Sequence, residues 1–552
     1  MISVFNIDKA YKLIPNKFKK KLPLFFLSNL IIILFEILSL GLIYSIVNIL
    51  MNEEKVFNFL SFNLEKDNMI FISTSLIALF VFKNLFLIYL YNWQYSYSMN
   101  IQRSLSCDLL KKYIHLDYQE FLNAHSSIYM RNVDSECTRF SNYLASVLSF
   151  FTETGILVCV LIYLFYMNFM TTFFLFLIFV MIFLIFYFLT KKKFRIWGEK
   201  RLFLSGALIK SLIETFQSIR EIKIFNKEDL FYKRFKDFQK KTQDLSIKSN
   251  LIRILPRPIL EILCIIFVGL FLVHLTSNNL DIITFIPLLT IYFVSFLRIL
   301  PSVNKILHNY QAMVLSKPSI LALDKEFSKY TKTIILASET MMANKIEIKN
   351  LSFEYLDKQK IFENLNYSFN VNKVYGIFGE NGSGKTTLIN LILGLLNPSK
   401  GEINYFNDDK KILNKKIKFG YVPQNIVMID SSIKSNIALE YDEDKIDKEN
   451  LQRCLNTSNL FDFIKELRDK EDTIVGENGA KLSGGQKQRI GIARSLFSDA
   501  NILILDEPSS ALDKGKEKEL MKYIHKMKKD RIIIIISHNN EFRSHCDEII
   551  QL

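Results

Sequence analysis

The segment Gly379-Glu-Asn-Gly-Ser-Gly-Lys385-Thr386-Thr387 follows the apolar run Val374-Tyr-Gly-Ile-Phe378 and leads into a helical pattern from Leu388 to Leu396. Strand, glycine-rich loop and helix in that order, with every fixed position of G-x-x-x-x-G-K-[ST] filled, form a cradle for phosphates. Gly379, Gly382 and Gly384 let the backbone N–H groups around Glu380, Asn381 and Ser383 curl round the anion, and the helix N-terminus adds positive potential. Lys385 bridges the outer phosphates, the Thr386 hydroxyl can ligate Mg2+, and Thr387 completes the contact set. Far downstream, Ile502-Leu-Ile-Leu-Asp506-Glu507 reads as a buried parallel strand ending in two carboxylates. In a doubly wound sheet ligands gather at the C-terminal edge, so these acids face the phosphates. Asp506 then suits the Mg2+ shell, and Glu507 is placed to polarise an attacking water.

Between the two lies Leu482-Ser483-Gly484-Gly485-Gln486, followed by Lys487-Gln488-Arg489 and a helical run. This resembles the signature motif of ATP-binding cassette (ABC) proteins. The resemblance implies ATP and Mg2+ as cofactors, with Ser483, Gly484, Gly485 and Gln486 as nucleotide ligands. It also implies that Tyr355 in Leu351-Ser-Phe-Glu-Tyr355 stacks on adenine and that Gln424 in Tyr421-Val-Pro-Gln424 is the lid glutamine that reaches metal and water. Asp513 in Ser510-Ala-Leu-Asp513 takes the D-loop position and His538 in Ile536-Ser-His538 that of the switch histidine. Thr473-Ile-Val-Gly-Glu-Asn-Gly479 resembles the segment that touches the membrane domain in exporters. Ser483 and Gly485 head a helix whose amides can bind an anion, about 100 residues from Lys385. In the family the two meet only across a head-to-tail pair of cassettes, which implies a symmetric homodimer with two competent sites.

The elements that must hold these residues divide at about residue 343. Half of the 552 residues are apolar, 48 of them Phe, and the net charge is +15. A positive mean hydropathy with a basic balance is expected of a membrane protein with basic cytoplasmic faces and not of a soluble nucleic-acid binder. Six well-separated cysteines without a C-x-x-C pair give neither a disulfide framework nor a zinc ribbon. Six apolar stretches are long enough to cross hydrocarbon: 24–50, 69–93, 143–167, 171–189, 254–274 and 282–304. Lys17, Lys19, Lys20 and Lys21 place the N-terminus inside, and Lys191, Lys192, Lys193 and Arg195 do the same for the end of the fourth span. The stretches Gln94–Asn142 and Lys191–Arg253 are long, amphipathic and free of proline, which predicts helical stalks continuing into the cytosol. The expected fold is an all-α, six-helix membrane domain with long cytoplasmic helical extensions, of the type I exporter (type IV ABC) kind, joined to an α/β P-loop ATPase domain. Its boundaries are 1–320 for the membrane domain, 321–343 for a polar linker carrying Lys325, Lys329 and Lys332, and 344–552 for the cassette. Tyr118–Arg131 and Ile213–Glu228 resemble the family's coupling regions.

Substrate class must come from the membrane domain. Lys83, Glu36, Glu153 and Arg298 fall inside spans, where ionisable groups are costly and face the protein or a cavity. Lys305 is seven residues beyond Arg298, and Arg257 lies between Pro256 and Pro258 at the inner end of span five. Two readings are open: satisfied structural pairs, Lys83 with Glu36 and Arg257 with Glu261, or a belt of Lys83, Arg257, Arg298 and Lys305 for an anionic headgroup. The pattern Ile254-Leu-Pro-Arg-Pro-Ile-Leu-Glu261 with Phe296-Leu-Arg-Ile-Leu-Pro-Ser-Val-Asn-Lys305 resembles bacterial lipid-linked oligosaccharide flippases of the Pgl type. That implies polyprenyl-pyrophosphate-linked glycans as substrate and the bacterial inner membrane as location. An exporter of lipid A-like lipids, drugs or peptides is the alternative, and an ATP-responsive membrane regulator without transport is a third reading.

Overall fold

The computed structural model describes residues 7–51, 56–59, 62–65, 69–122, 125–277, 282–329, 340–355, 360–408, 410–413, 416–508, 521–522, 524–538 and 540–552. The chain divides into two units, 1–116 with 123–332, and 117–122 with 333–552.

In the first unit each expected span overlaps one long helix, the fifth, 254–274, starting two residues before its own. These are α1 (Leu22–Met51), α2 (Met69–Ile114), α5 (Cys137–Met167), α6 (Phe169–Gln217), α9 (Pro256–Ser277) and α10 (Ile282–Lys329). Between them in the chain lie the hairpin β1 (Val56–Phe59) and β2 (Phe62–Glu65), the short helices α3 (Tyr118–Leu122), which groups with the second unit, α4 (Ser126–Arg131) and α7 (Ile219–Ile224), and the long helix α8 (Glu228–Ile254). Among the described residues four stretches, Asn16–Val47, Met69–Ile114, Ser126–Met167 and Leu289–Lys329, are long and apolar enough to cross a membrane. Ile70, Phe71, Leu85 and Ile88 leave much of their apolar surface uncovered, which only hydrocarbon tolerates over so wide a face. The inward face packs on itself: Phe25, Ile101, Phe140, Ile156, Val160 and Leu307 belong to one buried cluster. The turn from α5 to α6 is a single residue. Asn168 takes an extended conformation and its side chain accepts from the Thr171 amide at 3.2 Å, capping α6.

Two features depart from expectation. Helix α10 continues to Lys329, nine residues past the expected domain end and through Pro318, because Ile320 and Leu323 on its inner face are wholly buried. Burial there outweighs the lost proline hydrogen bond. The stalk after α2 is also not one helix: α4 runs into a π-turn, Asn132–Glu136, before α5 begins.

The second unit is built on a five-stranded parallel sheet. β5 (Lys373–Phe378), β7 (Phe419–Val422), β8 (Ile502–Asp506), β9 (Ile532–Ile536) and β10 (Glu548–Gln551) lie in the order β7-β8-β9-β5-β10. The sequences Ile-Leu-Ile-Leu and five successive isoleucines are unbroken because both faces are covered. Leu503, Leu505, Ile533 and Ile535 pack toward helices α13 (Lys448–Thr457) and α15 (Gly484–Phe497). Ile502, Ile504, Ile532 and Ile534 pack toward α11 (Lys385–Ile392) and an antiparallel sheet of β3 (Lys345–Glu354), β4 (Lys360–Asn370) and β6 (Lys400–Asn407). The short helices α12 (Ile433–Ala438) and α14 (Phe461–Glu466) complete the helical side.

Gly198 in α6 tests the helix packing of the first unit. A Cβ there would stand 2.7 Å from the Leu315 carbonyl oxygen of α10, a backbone atom at a Pro318-containing turn. Gly198→Ala should lower stability by ~1–3 kcal/mol, read as an earlier thermal unfolding of the purified protein. An unchanged transition would show that the two helices separate freely at that point.

Candidate nucleotide site and buried charges

Four neighbouring parallel strands end at the same edge, and each delivers one part of the site. After β5 comes the glycine loop, after β7 Gln424, after β8 Glu507 and after β9 His538. Gly384 caps α11 at φ 98°, and a Cβ there would lie 2.5 Å from Ile361, so only glycine fits. The Lys385 ammonium is buried within the loop and donates to the carbonyls of Gly379 and Glu380, both at 2.8 Å. Gly382 also has a positive φ, Glu380, Asn381 and Thr386 are exposed, and Thr387 is buried with its hydroxyl 3.0 Å from the Tyr355 hydroxyl. The expected adenine-stacking ring is thereby tied to the first turn of the phosphate helix.

The acids sit opposite. Glu507 adopts φ 49°, a conformation uncommon for a non-glycine residue, while its amide donates to the Ile536 carbonyl. Its carboxylate accepts from the Gln424 amide at 2.6 Å and lies 3.2 Å from His538 Nδ1. The three expected participants in water activation thus form one row, Gln424, Glu507, His538. Asp506 is buried, and burial first and the charge of Glu507 second push its carboxyl above the usual range. Among the described residues no group of three or more His, Cys, Asp or Glu could hold a metal ion by itself. Thr386, Gln424 and Asp506 are oxygen donors of the kind that would hold an Mg2+ bound together with phosphates.

The signature residues make their bonds within their own helix end. Ser483 caps α15: its hydroxyl accepts from the Gln486 amide and the Gln486 side chain accepts from the Ser483 amide, with Gly484 and Gly485 in the first turn. The spacing Ser-x-x-Gln carries this reciprocal cap as well as the expected nucleotide role. Asp513 lies outside the described residues.

In the membrane unit each of the four belt cations stands beside a carboxylate. Glu36, 1% exposed, takes both Arg298 Nε at 2.8 Å and Lys83 Nζ at 3.3 Å. Lys305 lies 2.7 Å from the buried Glu153, which also accepts from the Tyr91 hydroxyl. Arg257 pairs with Glu261 at 2.8 Å on a more open surface. The pairs Lys83–Glu36 and Arg257–Glu261 were anticipated; the sharing of Glu36 with Arg298 and the pairing of Lys305 with Glu153 were not. No belt of unpaired cations is present among these four, because a bare cation among apolar helices costs more than one with its counter-ion.

Comparison with known proteins agrees with this architecture. A family profile described as "ABC transporter transmembrane region" matches residues 23–297, and one described as "ABC transporter" matches residues 362–510, together well over half of the chain. The chain belongs to the ABC transporters. Among curated proteins, this ABC transporter chain is 31% identical over 358 residues to an "ATP-dependent lipid A-core flippase" of Syntrophus aciditrophicus, covering 63% of this chain and 58% of that protein. It is 37% identical over 212 residues to human "ATP-binding cassette sub-family B member 5", covering 38% of this chain and 17% of that protein. The matched stretch thus spans less than two thirds of the length of either relative. A solved "bacterial Atm1-family ABC exporter with ATP bound" superposes with a TM-score of 0.77 at 19% identity, over 98% of this chain and 94% of that one. The fold is that of an ABC exporter: a helical membrane domain followed by an α/β ATPase domain.

One site residue escaped sequence reading. Tyr421 stands opposite Ile504 in the β7–β8 register, so its side chain shares a face with Ile504 and with Asp506 two residues on. The Asp506 carboxylate acts on its hydroxyl, and burial first and that charge second push the phenol up to about 12. The register that sets it opposite Ile504 belongs to the sheet and is not written in the local sequence. The segment Tyr118–Leu122 groups with this unit while the rest of the first expected coupling region groups with the membrane unit, so that region is split. Tyr421→Phe should weaken nucleotide binding several-fold in the presence of Mg2+ and leave Mg2+-free binding unchanged, as measured with a fluorescent ATP analogue. Equal weakening in both conditions would assign Tyr421 to packing alone.

Proposed function

We propose that this chain is one half of a homodimeric, ATP-driven exporter that moves an anionic lipid-linked substrate across the bacterial inner membrane. The row Gln424, Glu507, His538 beside the phosphate loop supports ATP hydrolysis as the energy source. Glu507 would accept the proton of the attacking water, Gln424 and His538 would hold its carboxylate in place, and Lys385 and the loop amides would hold the outer phosphates. Mg2+, when bound through Thr386, Gln424 and Asp506, would neutralise charge on the phosphates. The signature and phosphate loop each spend their bonds locally, which supports completion of the site by a second copy.

The observation that carries the substrate class is the Glu36 cluster. Two cations share one buried carboxylate, Arg298 through its Nε, and Arg298 Nη2 is buried without a hydrogen-bond partner. A cluster with surplus positive charge and unused N–H groups is suited to an incoming phosphate or diphosphate. We take polyprenyl-pyrophosphate-linked oligosaccharide as the substrate on the pattern of spans five and six. The lipid A-core flippase named among the relatives favours a lipid A-core-like glycolipid as the second reading.

Glu507→Gln should bind ATP and hold the cassettes together while hydrolysis falls by about 10²–10⁴-fold. Near-normal turnover would remove Glu507 from the role of base. Mixing Lys385→Ala chains with Ser483→Arg chains should restore one complete site per heterodimer, and failure to recover any activity would argue against the two-chain site. For the substrate, ATPase stimulation in reconstituted vesicles should respond to the phosphate-bearing lipid and be lost on replacing Lys83 and Arg298 together by Gln, with basal turnover kept. Survival of stimulation in that variant, or in the swapped pair Glu36→Lys with Lys83→Glu, would move the substrate contact elsewhere.

A further inference from the structure

A second cationic cluster lies away from Glu36. The π-turn Asn132–Glu136 places Glu136 wholly inside the membrane unit, and insertions of this kind recur at functional sites. Arg201 of α6, itself 7% exposed, lies 3.7 Å from Glu136 and donates to Ser319 at 2.8 Å, yet its Nε and Nη1 have no hydrogen-bond partner, nor has either oxygen of Glu136. Arg131 and Arg139 are within electrostatic reach of Arg201, and Arg139 of Arg253 on α8, whose Nε is also buried and unpartnered. His308 on α10 faces Arg253, and Gln311 one turn further is buried with both amide atoms unpartnered. Glu136 is the carboxylate that acts on Arg139 and Arg201.

Four guanidiniums from four elements are thus linked, Arg131 and Arg139 to Arg201 and Arg139 to Arg253, and Glu136 acts on Arg139 and Arg201. Arg201 and Glu136 are buried, Arg139 and Arg253 half-buried and His308 exposed, so the cluster has both interior and accessible members. A buried network is retained when its donors are met, and these are not met by protein groups. Planar guanidiniums with unspent N–H groups match the oxygens of phosphate better than any other common anion. We propose that this cluster is a separate binding site for a phosphate group, distinct from the nucleotide loop and from the Glu36 cluster, in which Glu136 acts as the internal competitor of the ligand. The phosphate can come from a lipid headgroup or from a soluble molecule. The proposal concerns binding alone and does not depend on the export reading.

Trp197 stands one turn before Arg201 on α6 and is one of two tryptophans in the chain, so Trp93→Phe leaves it as the sole reporter. The full chain carrying Trp93→Phe and Lys385→Ala, the second to silence the nucleotide loop, is reconstituted in phosphatidylcholine vesicles. It is titrated with pyrophosphate, and in parallel vesicles with rising fractions of phosphatidylglycerol. A saturable change in Trp197 emission is expected, with lipid alone assigning a headgroup and pyrophosphate assigning a soluble ligand. Arg253→Gln should raise the half-saturation point about tenfold and Glu136→Gln should lower it about tenfold, since the competing carboxylate is gone. A purely structural network predicts no gain from Glu136→Gln. Absence of a saturable response to both probes, or an unchanged response in Arg253→Gln, overturns the site. Should Glu136→Gln fail to fold, Arg139→Gln and Arg253→Gln, at half-buried positions, decide the matter with the same readout.

Discussion

The nucleotide site depends on one constraint, that parallel strands buried on both faces all end at the same edge. β5, β7, β8 and β9 are held in register by ladder hydrogen bonds and by isoleucine and leucine side chains covered above and below. Their C-terminal ends therefore cannot move independently, and the loop, Gln424, Glu507 and His538 inherit that rigidity. The positive φ of Glu507 is where the constraint shows: the residue after Asp506 must turn sharply to bring its carboxylate back to Gln424 and His538 while its amide still bonds Ile536. Such strain persists only where surrounding structure over-determines it.

Most of the cassette was legible because its chemistry is written in contiguous motifs. A glycine loop bounded by a strand and a helix needs no tertiary information, and the unbroken Ile502–Leu505 run announces a strand with two covered faces. Tyr421 was illegible for the converse reason: its contact with Asp506 depends on which strand lies beside β8, and register is a property of the sheet. Ser483 and Gln486 were read only as ligands, although their spacing also states a helix cap. The end of the membrane domain was set too early, since Pro318 and the lysines around it look like a boundary until Ile320 and Leu323 are seen to be buried.

The charged residues of the membrane unit mark a different limit. Sequence depth identified Glu36, Lys83, Glu153 and Arg298 as costly, and cost alone does not say which charge meets which. Lys83 and Glu36 come from α1 and α2, Arg298 from α10, and only the packed bundle makes them one cluster. The π-turn with Glu136 left no mark in composition or periodicity, since Asn-Val-Asp-Ser-Glu is unremarkable as helix.

Paired cations and an anionic cargo are compatible on energetic grounds. A lysine or arginine held bare among apolar helices would lose hydration worth on the order of several kcal/mol and would destabilise the unit, or, for lysine alone, deprotonate. A carboxylate such as Glu36 or Glu153 keeps the cation charged at far lower cost while no ligand is present. When a phosphate approaches, the cation exchanges one anionic partner for another, and the net change is a difference between two similar interactions. Binding can then be moderate and reversible, which suits a cargo that must leave on the far side. Arg257 and Glu261, half or more exposed and four residues apart on one helix, contribute little to such an exchange because water already screens them. On the proposed reading the burden would rest on Glu36, where two cations meet one carboxylate and Nη2 of Arg298 still has N–H groups to give.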